Sequence, residues 1–199
     1  MTIARKIAGS LALIGALTAC GSNGSDDTPP PTTGGPVTYT NFADISADAD
    51  ALSSTYVEDD GTLLATRTLE AELPTTGAVE YNGFVTGDVG GSSLVGQIAL
   101  TADFDSDAIS GTASNFIHET AGDYTGTLDA TGAVSATAPV GVPQFSATLE
   151  GDLSNAGTIH ATTIALEGDF LGSDYGAIGG EALGLVGADF MSGNFAAEQ

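Results

Sequence analysis

A chain of 199 residues sets 26 acidic side chains against 3 basic ones, for a formal charge of −23, and contains one cysteine, no tryptophan and 28 glycines. Such a charge excludes nucleic acid and anionic lipid headgroups as partners, because their phosphates are repelled at every approach. The length allows one domain of ordinary size plus short extras, and a lone cysteine excludes an internal disulfide.

The chain begins "MTIARKIAGSLALIGALTAC", with a positive start at Arg5 and Lys6, an apolar run from Ile7 to Leu17, and small residues before Cys20. This is the pattern of a secretory signal peptide, too short to stay in a bilayer as a spanning helix. Its last four residues, Leu17-Thr18-Ala19-Cys20, resemble a bacterial lipobox. That resemblance implies acylation of Cys20 through its sulfur, cleavage of the bond before it, and Cys20 as the mature N-terminus. The competing reading is an ordinary signal with a stray cysteine; the only cysteine sitting at the cleavage point favours the lipobox. Several acyl chains, at ~0.8 kcal/mol per buried CH₂, would hold the protein firmly on a membrane. Removing the signal also removes Arg5 and Lys6, so that Arg67 alone faces 26 acids and the formal charge becomes −25. Gly21 follows the cysteine. In Gram-negative lipoproteins an Asp at that position marks retention on the inner membrane, so Gly21 implies the outer membrane.

Residues 21–36, "GSNGSDDTPPPTTGGP", carry no large apolar side chain and read as a flexible tether spanning ~20–25 Å. From Asn41 to Ser54, Phe42, Ile45 and Leu52 fall at a spacing that fits one short helix or an extended lead-in. From about Thr62 the period changes to two. "SLVGQIALTADF" puts Leu94, Gly96, Ile98, Leu100, Ala102 and Phe104 on one face and Val95, Gln97, Ala99, Thr101 and Asp103 on the other, as a strand with one wet side does. The same alternation is expected in "TLLATRTLEAEL", "AVEYNGFVTG", "AISGTASNFI", "DYTGTLD", "AVSATAP", "QFSATLEGDL", "TIHATTIALEGDFLG" and "LGLVGADFMSGNF". Short Gly, Asn and Asp turns join these segments, giving eight or nine antiparallel strands.

An evenly spaced meander of this kind removes its unpaired edges by closing into a barrel. Glycines inside the strands, at 83, 96, 111, 126, 151, 168 and 187, let a small barrel wall coil tightly. The second strand face carries Ser110, Thr112, Ser114, Thr125, Thr127, Thr148, Glu150 and Asp152, which would be costly in hydrocarbon. The apolar face therefore points inward. The expected fold is all-β: a soluble up-and-down antiparallel barrel of about eight strands. The expected division is a signal peptide over 1–19, acylated Cys20 and linker over 20–36, a lead-in over 37–61 and the barrel over 62–199.

Chemistry-bearing patterns are few. "GDFLGSDYGAIGG", residues 168–180, lacks the Lys-Ser/Thr ending of a phosphate-binding loop and the spacing of a dinucleotide fingerprint, and no helix follows it. Its glycines are read as backbone geometry. Asp103, Asp105 and Asp107 alternate like the start of a calcium-binding loop, but Ala108 stands where the loop needs Gly and Ser114 where it needs Glu; a hairpin turn of solvated acids is the favoured reading over calcium. His118 and His160 are the only histidines, too few for a transition-metal centre by themselves. By alternation His160 is expected on the wet face. Neither stands beside a nucleophile motif, so no catalytic residue, no cofactor and no enzymatic activity is expected. Tyr81, Phe84, Phe116, Tyr124 and Tyr175 read as core or rim packing, with any exposed member a natural anchor for a partner.

The stretch "LEGDFLGSDYGAIGGEALGLVGADFMSGNFAAE" resembles the closing strands of the barrel domains in transferrin-binding protein B and its relatives. The matching positions are Gly168, Phe170 and Gly172, then Gly179 and Gly180, then Gly193 and Phe195. "DFDSDAISG" and "LDATGAVSA" resemble that family's strand-turn-strand units, and the likeness covers roughly residues 62–199. Leu171 departs from the family's usual Tyr and Ile178 from an acidic residue before the Gly pair. Only one barrel fits, so transferrin binding does not carry over. The resemblance implies a surface-displayed, outer-membrane lipoprotein that binds an extracellular protein, or an iron or haem carrier, through its loops. Two other readings stay open: a lipocalin-like carrier with one small molecule inside the barrel, and a structural envelope lipoprotein.

Overall fold

The computed structural model describes residues 37–59 and 61–199. Cys20, the signal peptide and the tether lie outside the described residues.

Among the described residues, one α-helix precedes the strands. Helix α1, Phe42–Tyr56, opens on Asn41, whose side chain accepts a hydrogen bond from the Asp44 backbone N–H at 2.9 Å. Asp44 adds a negative charge to the first turn, which suits the positive end of the helix dipole. The helix stops at Val57, a β-branched residue in extended conformation. Ile45 and Ala49, four apart on one face, are buried.

The eight strands that follow are β1 (Ala78–Val89), β2 (Ser92–Asp103), β3 (Ala108–His118), β4 (Gly122–Val134), β5 (Phe145–Asn155), β6 (Thr158–Leu171), β7 (Ala177–Val186) and β8 (Asp189–Glu198). Each pairs antiparallel with its neighbour in sequence, and β8 pairs with β1 to close the barrel. Register is fixed by alternation, since a slip of one residue would turn the whole buried row outward. On β2 the inward row is Leu94, Ile98, Leu100 and Ala102, running on to Phe104, as the sequence predicts.

Three differences from the sequence reading concern strand limits. Residues 62–73 form no barrel strand; they make isolated bridges, Val57 with Leu63 and Arg67 with the last residue of β6, Leu171, and then one 3₁₀ turn, Glu70–Glu72. The turn expected at Ala130-Thr131-Gly132 does not exist, because β4 runs straight through it. A Cβ on Gly132 would run into the Ser146 carbonyl oxygen, so this glycine lets two strands approach. Conversely, Gly187 is a turn residue with φ +64° that separates β7 from β8, where one continuous segment was expected.

The helix packs outside the barrel. Ile45 and Ala49 meet Val95 and Ile117, with Tyr39, Phe42 and Phe84 at the margin. This explains why the β2 alternation lapses: Leu94, Val95 and Gly96 are all buried, and the β2–β3 register shifts between Val95 and Gln97.

Candidate functional site

Inside the wall, rings fill the space. Phe170 lies 5.4 Å from Phe104, 5.5 Å from Phe145 and 6.1 Å from Tyr81, and Phe145 lies 5.7 Å from Phe195, centroid to centroid. These tilted and edge-on spacings are those of favourable aromatic pairs. Around them Leu100, Leu128, Leu149, Leu153 and Ile164 are fully buried. An eight-stranded wall leaves about enough room for such side chains. Burial pushes the Tyr81 hydroxyl well above the ordinary tyrosine range; that hydroxyl donates to the Tyr175 carbonyl at 2.8 Å, which ties the β6–β7 loop over one barrel mouth.

The glycines and phenylalanines that carry the family resemblance come together there. Gly168 pairs with Gly180 across β6 and β7. A Cβ on Gly168 would sit 2.7 Å from the Phe195 ring, and one on Gly180 would meet the Glu167 carbonyl oxygen. Gly179 faces out, where a Cβ would lie 2.9 Å from Val57. Gly193 has Thr86 backbone against it, and Gly172 turns the chain at φ +86°. They are contact points of backbone on backbone and ring on backbone.

The acidic triplet caps a hairpin turn. Asp103 Oδ1 accepts from the backbone N–H of Asp105 at 2.9 Å and of Ser106 at 3.1 Å, and Asp105 Oδ2 accepts from the Gly77 N–H at 2.9 Å. Hydrogen bonds from Ser106, backbone first and then hydroxyl, hold the Asp103 carboxyl below its ordinary range. Asp107 takes φ +51° in the same turn. Among the described residues no group of three or more His, Cys, Asp or Glu is placed to hold a metal ion.

His118 is buried and fully used. Its Nδ1 accepts from the N–H groups of Thr120 and Ala121 at 3.2 and 3.1 Å, which leaves Nε2–H to donate to the Val89 carbonyl at 3.0 Å. His160 sits on the inward row of β6, beside the Tyr124 ring at 5.2 Å, rather than on the wet face. Ile159 is the residue that points out, 70% exposed. The strand phase is thus opposite to the expected one, because Thr162, Ile164 and Leu166 set the inward row. Of the aromatics singled out in the sequence, Tyr81, Phe116 and Tyr124 are buried, Phe84 lies under the helix and Tyr175 packs against the core.

Sequence reasoning passed over one constellation. Arg67, in the strap of residues 57–73, donates to the Ala138 carbonyl at 2.7 Å and the Pro139 carbonyl at 3.0 Å, and its Nε lies 3.4 Å from Asp169 Oδ1. Next to it the Gln144 side chain donates to the Thr68 carbonyl at 3.0 Å and accepts from the Phe170 N–H at 3.1 Å. Together they fasten strap, β4–β5 loop and β6. The signal available was Arg67 itself, the single cation beyond residue 6. Two open clefts flank the strap, about 480 Å³ beside Val57, Glu58 and Leu64 and about 270 Å³ between Val142 and Gly180. Both lie on the outside of the wall.

No family model matches the sequence, and no curated protein matches it. Solved structures do. A point mutant of transferrin-binding protein B from Haemophilus parasuis Hp5 is similar with a TM-score of 0.40 at 17% identity, over 67% of this chain and 28% of that one. The intact Ap-TbpB, with its N and C lobes, gives a TM-score of 0.43 at 16% identity, again over 67% and 28%. The chain spans little more than a quarter of either.

Proposed function

We propose that this protein is an outer-membrane lipoprotein, anchored through acylated Cys20 and displayed at the cell surface, that binds an extracellular protein with the outside of its barrel. The observation that supports this over an internal carrier is the interior: Tyr81, Phe104, Phe145, Phe170 and Phe195 meet one another across it. Recognition then falls to the loops and outer wall, and the tether over residues 21–36 supplies reach. The sequence resemblance names iron and haem carriers as partners to try.

Three measurements test the reading. Changing Cys20→Ser should move the protein from the membrane pellet to the supernatant; continued pelleting would sink the anchor. Protease added to intact cells should cut the folded part, whereas complete protection would place it in the periplasm. Finally, the full chain should retain a partner from serum proteins and iron or haem carriers offered singly. Retention of none, with a tightly held small apolar ligand instead, would favour the carrier.

A further inference from the structure

The alternation that fills the barrel also settles what looks away from it. On β6 the outward row is Ile159, Ala161, Thr163, Ala165 and Glu167; on β7 it is Glu181, Leu183 and Leu185. Register brings these rows together. Leu185 stands between Thr163 on β6 and Phe190 on β8, and Leu183 between Ala165 and Ser192. The result is an apolar strip across three strands, with Leu183 43%, Leu185 48% and Phe190 62% exposed and Ile159 continuing it toward the β5–β6 turn. Elsewhere on the wall, the apolar outward positions Val95 and Ile117 are covered by helix α1. This strip is uncovered among the described residues.

Its surroundings are all of one sign. Glu150 pairs with Thr163 and Asp152 with Ala161 on the β5 side; Glu167 and Glu181 face each other along β6 and β7; Asp189 begins β8, and Asp88 of β1 pairs with Ser192. All six carboxylates are exposed. The one ion pair among the described residues, Arg67 with Asp169, lies at the strap and includes none of them.

We infer that this face docks a cationic segment of a protein partner, which seats aliphatic or aromatic side chains between Leu183, Leu185 and Phe190 and sets lysines or arginines against the surrounding carboxylates. The inference rests on the partner-binding reading above and names the surface and the chemistry of the partner. An apolar centre supplies contact energy once water is displaced, while the charged margin steers the approach and selects for sign. A second copy of the chain is a poor occupant, since two identical acidic margins would face each other and the closed barrel offers no free strand edge. The tether is another, having neither a large apolar side chain nor a cation over residues 21–36.

The test immobilises the full chain and titrates the heptapeptide Lys-Leu-Lys-Leu-Lys-Leu-Lys against Lys-Ser-Lys-Ser-Lys-Ser-Lys of equal charge. The leucine peptide should bind at least tenfold tighter. The exposed double change Leu185→Ser with Phe190→Ser should bring it within twofold of the serine peptide, while Val140→Ser, which removes an exposed apolar group elsewhere, should leave it unchanged; melting curves confirm that the variants are folded. Equal binding of the two peptides, or equal loss in the Val140→Ser control, would overturn the proposal. So would self-association of the wild-type chain in light scattering that the double change abolishes. A partner retained from serum that binds the double variant undiminished would refute this face and leave the partner-binding reading standing; peptide binding as expected with no partner retained would do the reverse.

Discussion

Replacing Arg67 by Met removes the fastening of the strap while keeping most of the side-chain bulk. Two charge-assisted hydrogen bonds to the Ala138 and Pro139 carbonyls and the 3.4 Å contact to Asp169 disappear together. Arg67 and Asp169 are 16% and 15% exposed, so solvent screens the pair only in part. A hydrogen bond to a charged group contributes about 1.5–3 kcal/mol where both partners are desolvated. Pro139 is exposed and can turn to water, which places the loss nearer one such bond than two. Asp169 keeps the Gln144 N–H at 2.9 Å but loses its counter-charge, which costs more the drier the site. The expected loss is about 2–4 kcal/mol. With a urea slope of about 2 kcal/mol per M, the unfolding midpoint should fall by roughly 1–2 M at an unchanged slope. Arg67→Lys should give a partial loss, because an ammonium cannot offer a planar fork to two carbonyls and a carboxylate at once. Both differences should persist at high salt, and amide exchange should accelerate first across residues 57–73. A midpoint within about 0.3 M of wild type for Arg67→Met, or full stability in Arg67→Lys, would refute the latch.

Other consequences can be measured directly. Gly180→Ala should destabilise by about 2–3 kcal/mol, read as a melting temperature lower by several degrees, since its Cβ meets the Glu167 carbonyl oxygen, which cannot rotate away. Burial, followed by its hydrogen bond to Glu198 at 2.5 Å, pushes the Tyr56 hydroxyl up to about 12. A proton held more tightly in the folded state stabilises below the unfolded value near 10 and is lost as pH rises toward 12. Tyr56→Phe should therefore lose part of the stability decline of wild type between those pH values, and identical alkaline curves would contradict the contact. Calcium at millimolar concentration should leave the melting temperature unchanged, because Asp103 is occupied with turn N–H groups; a rise of several degrees would restore the ion-site reading.

The barrel was legible because its cause is local and repeated. Period-two segments such as "SLVGQIALTADF" separated by tight turns leave few alternatives, and the Ala156-Gly157 turn, with φ +48° and +82°, is the kind that joins antiparallel neighbours. What misled was glycine, which the wall uses in two ways that look alike in sequence. Gly132 resembled a turn and is a close approach, and Gly187 resembled a close approach and is a turn. Residues 62–73 were misplaced for another reason: over 62–67 exposure alternates with the right period, but the backbone bonds to the barrel reach only the β6 end, and the Arg67 side chain reaches the β4–β5 loop, rather than forming a ladder. The exposed strip was hidden for want of phase, since reading His160 as wet placed Ile159 inside. The Arg67 latch joins residues about 70 and 100 positions apart, beyond any local pattern.

The seam between β1 and β8 has a consequence for assembly. Every other pairing links neighbours in sequence and can zip as a hairpin within microseconds, whereas this one joins residues 82–89 to 191–198 and must wait for both. Until Glu198 is available the outer edge of β1 stays bare, and the nascent chain remains pliant. Under the proposed export to the cell surface, a chain that cannot lock early would stay competent to thread across an envelope, and its excess of negative charge would keep waiting copies apart.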